Sequence, residues 1–215
     1  MMSELGESSP PIQVSVVVPV YNSEGCVAEL VHRLRVAISA SGRSFEILLV
    51  NDASSDRSWD RIRETTARVH EVVGINLRRN FGQDCAIMAG LGRARGAAVV
   101  IMDDDLQHDP DDVPRLVSMV EQGHDVCCAR FDTKRQARWK NFGSWFNGKV
   151  ANVVLDKPDE LYLSPFKALS IQIVREVIKY DGPFPYVDGL ILRVTKQVTQ
   201  VGASHHQRFD GRSNY

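Results

Sequence analysis

Short apolar runs alternate along this chain with longer segments in which apolar residues recur at helical spacing. The runs predict buried strands, and the longer segments predict helices. The predicted strands are Val14–Val18, Phe45–Val50, Val72–Asn76, Ala97–Met102 and Val126–Ala129. The predicted helices cover residues 27–41, 58–70, 84–95 and 110–122. This order predicts an α/β fold, with a mostly parallel sheet and helices on both faces.

The alternation weakens after residue 130, and no internal repeat or low-complexity linker divides the chain. A chain of 215 residues is long enough for one large α/β domain. We therefore expect a single domain over residues 14–215, preceded by a polar, disordered tail over residues 1–13.

An acidic cluster follows the strand that ends at Met102. It reads Asp103-Asp104-Asp105-Leu106-Gln107. Carboxylate and amide oxygens are hard ligands suited to Mg²⁺ or Mn²⁺, and an extended backbone would point Asp103, Asp105 and Gln107 the same way. The cluster therefore predicts a divalent-cation site that binds a diphosphate. The alternative is a solvated acidic turn that caps the helix beginning at Pro110.

Two further strand ends carry polar side chains, in Pro19-Val20-Tyr21-Asn22 and in the segment 51–56. Ligands of open α/β sheets bind at the carboxyl ends of the strands. Tyr21 could stack on a nucleotide base, and Asp52 could accept a hydrogen bond from it. Ordinary turn chemistry is the alternative, because Asn, Asp and Ser are common in turns.

No glycine-rich phosphate loop follows the first strand, so a metal and side chains must hold any phosphates. Arg79 lies in Arg78-Arg79-Asn80-Phe81-Gly82-Gln83, after the third strand, and could reach a phosphate. The alternative is a basic loop that leads into the helix beginning at Asp84.

These motifs carry a family resemblance, which covers roughly residues 14–215. Val18-Pro-Val-Tyr-Asn, Asn51-Asp-Ala-Ser-Ser-Asp, Arg79-Asn-Phe-Gly-Gln and Asp103-Asp-Asp-Leu-Gln resemble those of family 2 glycosyltransferases of the GT-A (Rossmann-like) fold. More narrowly, they resemble the polyprenyl-phosphate sugar transferases, such as dolichol-phosphate mannose synthase and bacterial undecaprenyl-phosphate glycosyltransferases. The segment from Arg208 to Tyr215 is similar to the Arg-x-x-Gly-x-Ser-x-Tyr segment of that branch.

The resemblance implies a set of site residues. Asp105 and Gln107 would bind the metal, and Asp103, Asp105 and Asp188 would form the catalytic group. The nucleotide-binding residues would be Pro19, Tyr21, Glu24, Asp52, Arg79, Asp103 and Asp104. The residues at the acceptor and its phosphate would be Arg130, Arg135, Arg138, Ser164, Lys167, Arg208 and Ser213.

The stretch from Arg130 to Lys149 is basic and aromatic in its own right. Its cations outnumber its single acid, Asp132, and Trp139, Phe142 and Phe146 share a predicted helix face. Such a surface suits lipid headgroups and a phosphate-bearing acceptor. The alternative is a solvated helix that packs its aromatic residues on the core. A net charge of −1 disfavours nucleic acid as a partner.

The function implied by the resemblance is inverting transfer of a sugar from a nucleotide-diphosphate sugar to a polyprenyl phosphate, with Mg²⁺ or Mn²⁺. UDP is preferred over GDP as the nucleotide. The alternative is a transferase of the same fold that acts on a saccharide hydroxyl, for which Asp188 would be the base.

The predicted location is the cytoplasmic face of a membrane. The chain itself is predicted to be soluble, because no stretch reaches about 18 apolar residues. Relatives of this branch continue into membrane helices, so we expect that part to be absent or truncated after residue 215. The sequence does not decide whether the chain forms a homo-oligomer.

Overall fold

A computed structural model describes residues 11–131, 163–204, 206 and 209. The described strands are β1 Val14–Val20, β2 Phe45–Asn51, β3 Val72–Asn76, β4 Ala98–Ile101, β5 Val126–Phe131, β6 Lys167–Ser170 and β7 Val198–Ala203. The described α-helices are α1 Val27–Ala40, α2 Ser58–Thr66, α3 Gln83–Leu91, α4 Val113–Glu121, α5 Ile171–Val177 and α6 Val187–Val194. A short 3₁₀-helix, Pro110–Asp112, precedes α4.

The described strands form one sheet in the order β3-β2-β1-β4-β6-β5-β7. The pairs β2–β3, β1–β2, β1–β4 and β5–β7 are parallel, whereas β6 runs antiparallel to both of its neighbours. The predicted mostly parallel sheet is therefore confirmed. None of the described helices has the length and apolar character needed to span a membrane.

Both faces of the sheet are covered, as the continuous apolar strands predict. Every residue of β1 is buried, and its valines pack into two hydrophobic clusters on opposite faces of the sheet. Val16 and Val18 pack with residues of α1, α2 and α4, whereas Val17 packs with residues of α3, α5 and α6. Gly90 allows the close approach of α3 to β1, because an added Cβ would lie 2.4 Å from Cγ1 of Val17.

The sequence pattern missed four elements and misplaced one boundary. It did not predict β6, α5, α6 or β7, all of which lie after the point where the alternation weakens. Residue 13 was assigned to the disordered tail, yet Gln13 is bonded through its backbone to Ser44 and Ala98. Ordered structure therefore begins before Val14, because Gln13 already pairs with both neighbouring segments.

A buried polar cluster joins β1, β2 and the segment before β4 at the amino edge of the sheet. Ser15 donates to Glu46 over 2.7 Å and accepts from the backbone N–H of Gly96 over 2.8 Å. Glu46 is 2% exposed, and its Oε2 accepts hydrogen bonds from Nε and Nη2 of the Arg95 guanidinium, at 2.9 and 2.6 Å. The buried carboxylate is thus fully partnered, which is the condition for tolerating a charge there.

We expect Glu46→Ala to destabilise the fold by about 3 kcal/mol, because it removes the buried acceptor of the Ser15 hydroxyl, of the Arg95 backbone N–H and of the Arg95 guanidinium. Urea unfolding followed by circular dichroism measures this change. Glu64→Ala is the matched control, since Glu64 pairs with Arg61 on the surface, and it should cost about 0.5 kcal/mol or less. Equal costs for the two variants would contradict a special role for the buried cluster.

Candidate active site

The parallel register brings three strand ends to one edge of the sheet. Val20 at the end of β1 lies opposite Asn51 at the end of β2, and Val17 lies opposite Ile101 at the end of β4. The loops after these strands therefore lie side by side. They carry the predicted nucleotide-binding and metal-binding residues.

The loops after β1 and β2 are held together by side-chain-to-backbone hydrogen bonds. Asn22 accepts from the backbone of Ser55 over 2.8 Å, and Glu24 accepts from the backbone of Arg57 over 3.1 Å. Asp56 accepts from the backbone of Glu24 over 3.1 Å. Glu24, predicted to bind the nucleotide, thus braces the neighbouring loop in this structure.

Asp52 is fully buried, and its carboxylate binds the loop that follows β3. One oxygen accepts from the N–H of Phe81 over 2.8 Å, and the other accepts from the N–H of Gly82 over 2.9 Å. Asp52 therefore shapes the loop that carries Arg79 and does not present a free carboxylate. The predicted contact of Asp52 with a base stays a prediction. Arg79 is exposed, and its guanidinium lies 4.5 Å from the ring centre of Phe81.

Each of the three loops contains a non-glycine residue with a positive φ. The angles are 51° at Asn22, 53° at Ala53 and 59° at Leu106. The left-handed region costs an L-residue about 1–2 kcal/mol. Strain of this kind persists where the surrounding structure holds it, and it gathers at functional sites.

The acidic cluster forms a turn, not the extended row that the sequence predicted. β4 ends at Ile101, and the left-handed Leu106 turns the backbone between Asp105 and Gln107. Asp105 accepts from the backbone of Gln107 over 3.0 Å, and Asp104 accepts from the backbone of Tyr21 over 3.2 Å. The correction follows from the short strand, because pairing with β1 stops before the carboxylates begin.

The crowding of carboxylates changes the pKa of Asp103. Burial raises its pKa to about 6, and the charges of Asp105 and Asp104 add to the rise. The Gln83 amide, which donates to Asp103 over 2.7 Å, and the Lys167 ammonium act in the opposite direction. The loop thus concentrates negative charge that a cation would neutralise.

The residues present fit a divalent cation that is shared with a ligand. Among the described residues, no three His, Cys, Asp or Glu side chains converge closely enough to hold a metal by themselves. Mg²⁺ sites at phosphates often use one or two carboxylates, with the remaining ligands from phosphate and water. Asp105 and Gln107 fit that pattern, with Asp103 beside them.

Two further contacts brace the acidic turn from behind. His108 stacks on Phe131 and Phe166, with ring centres 5.5 and 5.1 Å away. The backbone N–H groups of His206 and Phe209 donate to the carbonyls of Gln107 and Asp105, over 2.9 and 3.2 Å. The turn is therefore fixed by the core and by the segment that follows β7.

Lys167 and Asp188 form an ion pair beside the acidic turn. Lys167 is 3% exposed, and its ammonium is close enough to Asp103 to affect the pKa of that carboxyl. The pair lines a cavity of about 160 Å³ together with Gln83, Asp84, Ile87, Ile101, Leu163, Pro165 and Val187. A larger groove, of about 510 Å³, lies between α1 and α2 and away from the acidic turn.

The structure thus brings many of the predicted site residues to one edge of the sheet. Ser164 is buried there, but its hydroxyl accepts from the N–H of Phe166 and so supports the backbone. Arg130 is exposed at the end of β5. Arg135 and Arg138 lie outside the described residues, with most of the basic and aromatic stretch. Arg208 and Ser213 also lie outside them.

Sequence reasoning missed Gln83, Asp84 and His108 as parts of this site. Burial is the largest cause that raises the pKa of Asp84, whose carboxylate also accepts from the N–H of Val187 over 3.4 Å. Gln83 and Asp84 follow the Arg-Asn-Phe-Gly segment directly, and that position was the available signal. His108 carried no signal, since its aromatic partners are distant in sequence.

The sequence profile described as Glycosyl transferase family 2 matches residues 15–177. The chain belongs to this family. The predicted family resemblance is therefore confirmed, and the matched region contains all three strand-end loops.

Two relatives are undecaprenyl-phosphate 4-deoxy-4-formamido-L-arabinose transferases. The protein from Pseudomonas paraeruginosa is 32% identical over 207 residues, which cover 94% of this chain and 60% of the relative. The protein from Edwardsiella ictaluri is 33% identical over 210 residues, which cover 94% of this chain and 62% of the relative. The chain thus spans about three fifths of the length of these relatives.

A solved structure shares the fold. Glucosyl-3-phosphoglycerate synthase from Mycobacterium tuberculosis, in complex with Mn²⁺, UDP-glucose and glycerol 3-phosphate, superposes with a TM-score of 0.61 at 17% identity. The match covers 92% of this chain and 73% of that protein. The expected GT-A fold is therefore confirmed.

We expect Asp103→Asn to raise the free energy of unfolding above pH 6, where the wild-type carboxyl is ionised. Below pH 4, where that carboxyl is protonated, the variant should change stability much less. The folded state raises the pKa of Asp103 from 3.8 to about 6. Wild type should therefore lose stability as the pH rises from about 4 to about 6, since the folded state then holds the extra proton. After discounting for partial exposure, the difference is about 1–2 kcal/mol.

Urea unfolding of wild type and variant at pH 4 and pH 7.5 measures the effect, with Asp111→Asn as an exposed control. Adding Mn²⁺ at pH 7.5 should stabilise wild type more than Asp103→Asn. Parallel pH dependences for wild type and Asp103→Asn would contradict the interpretation.

Proposed function

We propose that this chain is the transferase domain that moves a sugar from a nucleotide-diphosphate sugar to a polyprenyl phosphate. The supporting observation is that a buried ammonium lies next to the acidic turn at one sheet edge. The acidic turn at Asp103–Gln107 suits a metal-bound diphosphate, and the buried Lys167 beside Asp103 suits an acceptor phosphate. The relatives' names, which specify transfer to undecaprenyl phosphate, agree with this acceptor.

The donor side is built from the loops after β1, β2 and β3. Tyr21 and Pro19 would contact the nucleoside, with Glu24 and Asp52 holding the loops in shape. Arg79 would approach the diphosphate from the loop that Asp52 fixes. We propose UDP as the nucleotide, since the fold neighbour was solved with UDP-glucose and Mn²⁺.

Asp105 and Gln107 would hold Mg²⁺ or Mn²⁺, with Asp103 and Asp104 beside them. The bound metal supplies Lewis-acid neutralisation of the diphosphate leaving group. Asp104 orients the turn by accepting a hydrogen bond from the Tyr21 backbone, and His108 packs the turn against Phe131 and Phe166. These contacts fix the protein oxygens that would coordinate the metal before the nucleotide sugar binds, so little reorganisation is needed.

In the reaction, an oxygen of the acceptor phosphate forms a bond to the anomeric carbon of the sugar. The bond from that carbon to the diphosphate breaks, and its electron pair leaves with the nucleoside diphosphate. Attack opposite the leaving group inverts the anomeric centre. A phosphate is largely ionised at pH 7, since its second pKa is near 6, so no base has to remove a proton.

The pairing of Asp188 with Lys167 favours a phosphate acceptor over a hydroxyl acceptor. A base for a hydroxyl must be free to take a proton. Asp188 instead balances a buried ammonium, and protonation would leave that ammonium without its counter-ion. We therefore assign Asp188 to positioning Lys167. The saccharide-hydroxyl alternative remains the outcome that the acceptor experiment distinguishes.

The proposed location is the cytoplasmic face of a membrane, where nucleotide sugars and lipid phosphates meet. Arg130, Arg135, Arg138, Arg208 and Ser213 are proposed to assist the acceptor phosphate.

We expect UDP binding to require a divalent cation held by Asp105. Calorimetric titration of UDP into wild type should give an affinity that Mn²⁺ raises about tenfold or more over EDTA, because a bound cation would neutralise the carboxylates that otherwise repel the diphosphate. Asp105→Asn, which keeps the size and a hydrogen-bonding oxygen, should lose most of that gain. Asp111→Asn serves as the exposed control, and equal affinities in every case would disprove the metal site.

We expect turnover with undecaprenyl phosphate and none with an oligosaccharide acceptor, measured by mass spectrometry of products from a panel of UDP-sugars. Lys167→Met should raise the acceptor KM and lower kcat/KM about 100-fold, because it removes a buried cation from the phosphate site. Its UDP affinity should be unchanged. Lys179→Met is the matched control, since Lys179 pairs with Glu176 on the surface.

Asp188→Asn separates the two roles of that carboxylate. A positioning role predicts a loss within about tenfold and an unchanged pH–rate profile, whereas removal of a general base costs about 10²–10⁴-fold. A loss in the larger range, together with turnover of a saccharide hydroxyl, would replace our proposal by the alternative.

A further inference from the structure

Phe184 projects from the short loop between α5 and α6. Its side chain is 86% exposed, although a buried Phe contributes about 1.5–3 kcal/mol to stability. Pro183 and Pro185 flank it and restrict the backbone on both sides. The Tyr180 ring packs against Gly182, and its hydroxyl donates to the carbonyl of Phe184 over 3.4 Å. The loop is therefore braced with its aromatic residue pointing outward.

A second loop, Arg78–Phe81, is also basic and aromatic. Arg78 and Arg79 are exposed, and among the described residues neither forms an ion pair with a carboxylate. Phe81 is 46% exposed beneath the Arg79 guanidinium. The loop is held rigidly, because Asp52 binds the N–H groups of Phe81 and Gly82.

The two loops lie on either side of the cavity that contains Lys167. Phe81 is followed by Gln83 and Asp84, which line that cavity, and Tyr186 precedes Val187 and Asp188, which line it as well. Asp84 joins the two sides through its bond to the Val187 N–H. Burial raises the pKa of Tyr186, and the charges of Asp188 and Asp84 add to the rise, so Tyr186 lies near both.

We propose that the loops Arg78–Phe81 and Gly182–Tyr186 form a surface that docks on an anionic lipid bilayer. Exposed aromatic residues suit the headgroup region, and the exposed Arg78, which the donor site does not use, suits anionic headgroups. Asp181 precedes the second loop, so the first loop carries the electrostatic attraction. The proposal rests on the proposed function, since a lipid phosphate would then enter the Lys167 cavity directly from the bilayer.

The test is co-sedimentation of the 215-residue chain with phosphatidylcholine vesicles, with and without phosphatidylglycerol, at low and high salt. Phe184→Ser should weaken binding about tenfold at either salt concentration, because it removes the apolar side chain that would be buried in the bilayer. Arg78→Gln should weaken it about fivefold, only with phosphatidylglycerol and only at low salt. Circular dichroism confirms that each variant is folded.

Val36→Ser and Arg63→Gln are the matched controls. Val36 is 56% exposed on α1, and Arg63 is exposed on α2, both away from the cavity. If Phe184→Ser binds vesicles as well as Val36→Ser does, the docking surface is disproved. The same holds if the two arginine variants show equal losses.

Turnover of a short-chain, water-soluble prenyl phosphate separates this inference from the proposed function. Vesicle binding that depends on Phe184, without any turnover, would support the surface and disprove the function. Turnover without Phe184-dependent vesicle binding would support the function and overturn the surface.

Discussion

Mutual repulsion among the carboxylates that follow β4 is the constraint on which the site depends. Asp103, Asp104 and Asp105 occupy consecutive positions at a largely buried strand end, and each has a separate hydrogen-bond donor. Those donors come from α3, from the loop after β1 and from the turn itself. The parallel register of β1, β2 and β4 therefore does more than build the core. It also brings together the donors that hold the three carboxylates in place.

The fold class could be predicted because β1, β2, β4 and β5 are apolar runs that alternate with helical segments, of which α1 has a regular buried face. The position of β6 could not, since an antiparallel strand inserted between β4 and β5 depends on pairing between distant segments. β6 matters to the site, because its first residue is Lys167. The ion pair with Asp188 depends on the same long-range arrangement.

Individual side-chain roles were harder to predict than the location of the site. Glu24 and Asp52 were predicted to contact a nucleotide, and in the structure their carboxylates hold neighbouring loops. Both roles require an acid at a strand's carboxyl end, so the sequence pattern is the same for each. Only the distances to backbone N–H groups distinguish them.

At the left-handed residues Asn22, Ala53 and Leu106, the stability of the fold and the geometry of the site make different demands on the side chain. Glycine at position 53 would relieve backbone strain, yet it would also give the loop more conformations in which its polar groups face elsewhere. Selection for heat resistance and selection for turnover would therefore favour different residues at the same position. Sequence change at these three positions would then record which demand prevailed in a given lineage.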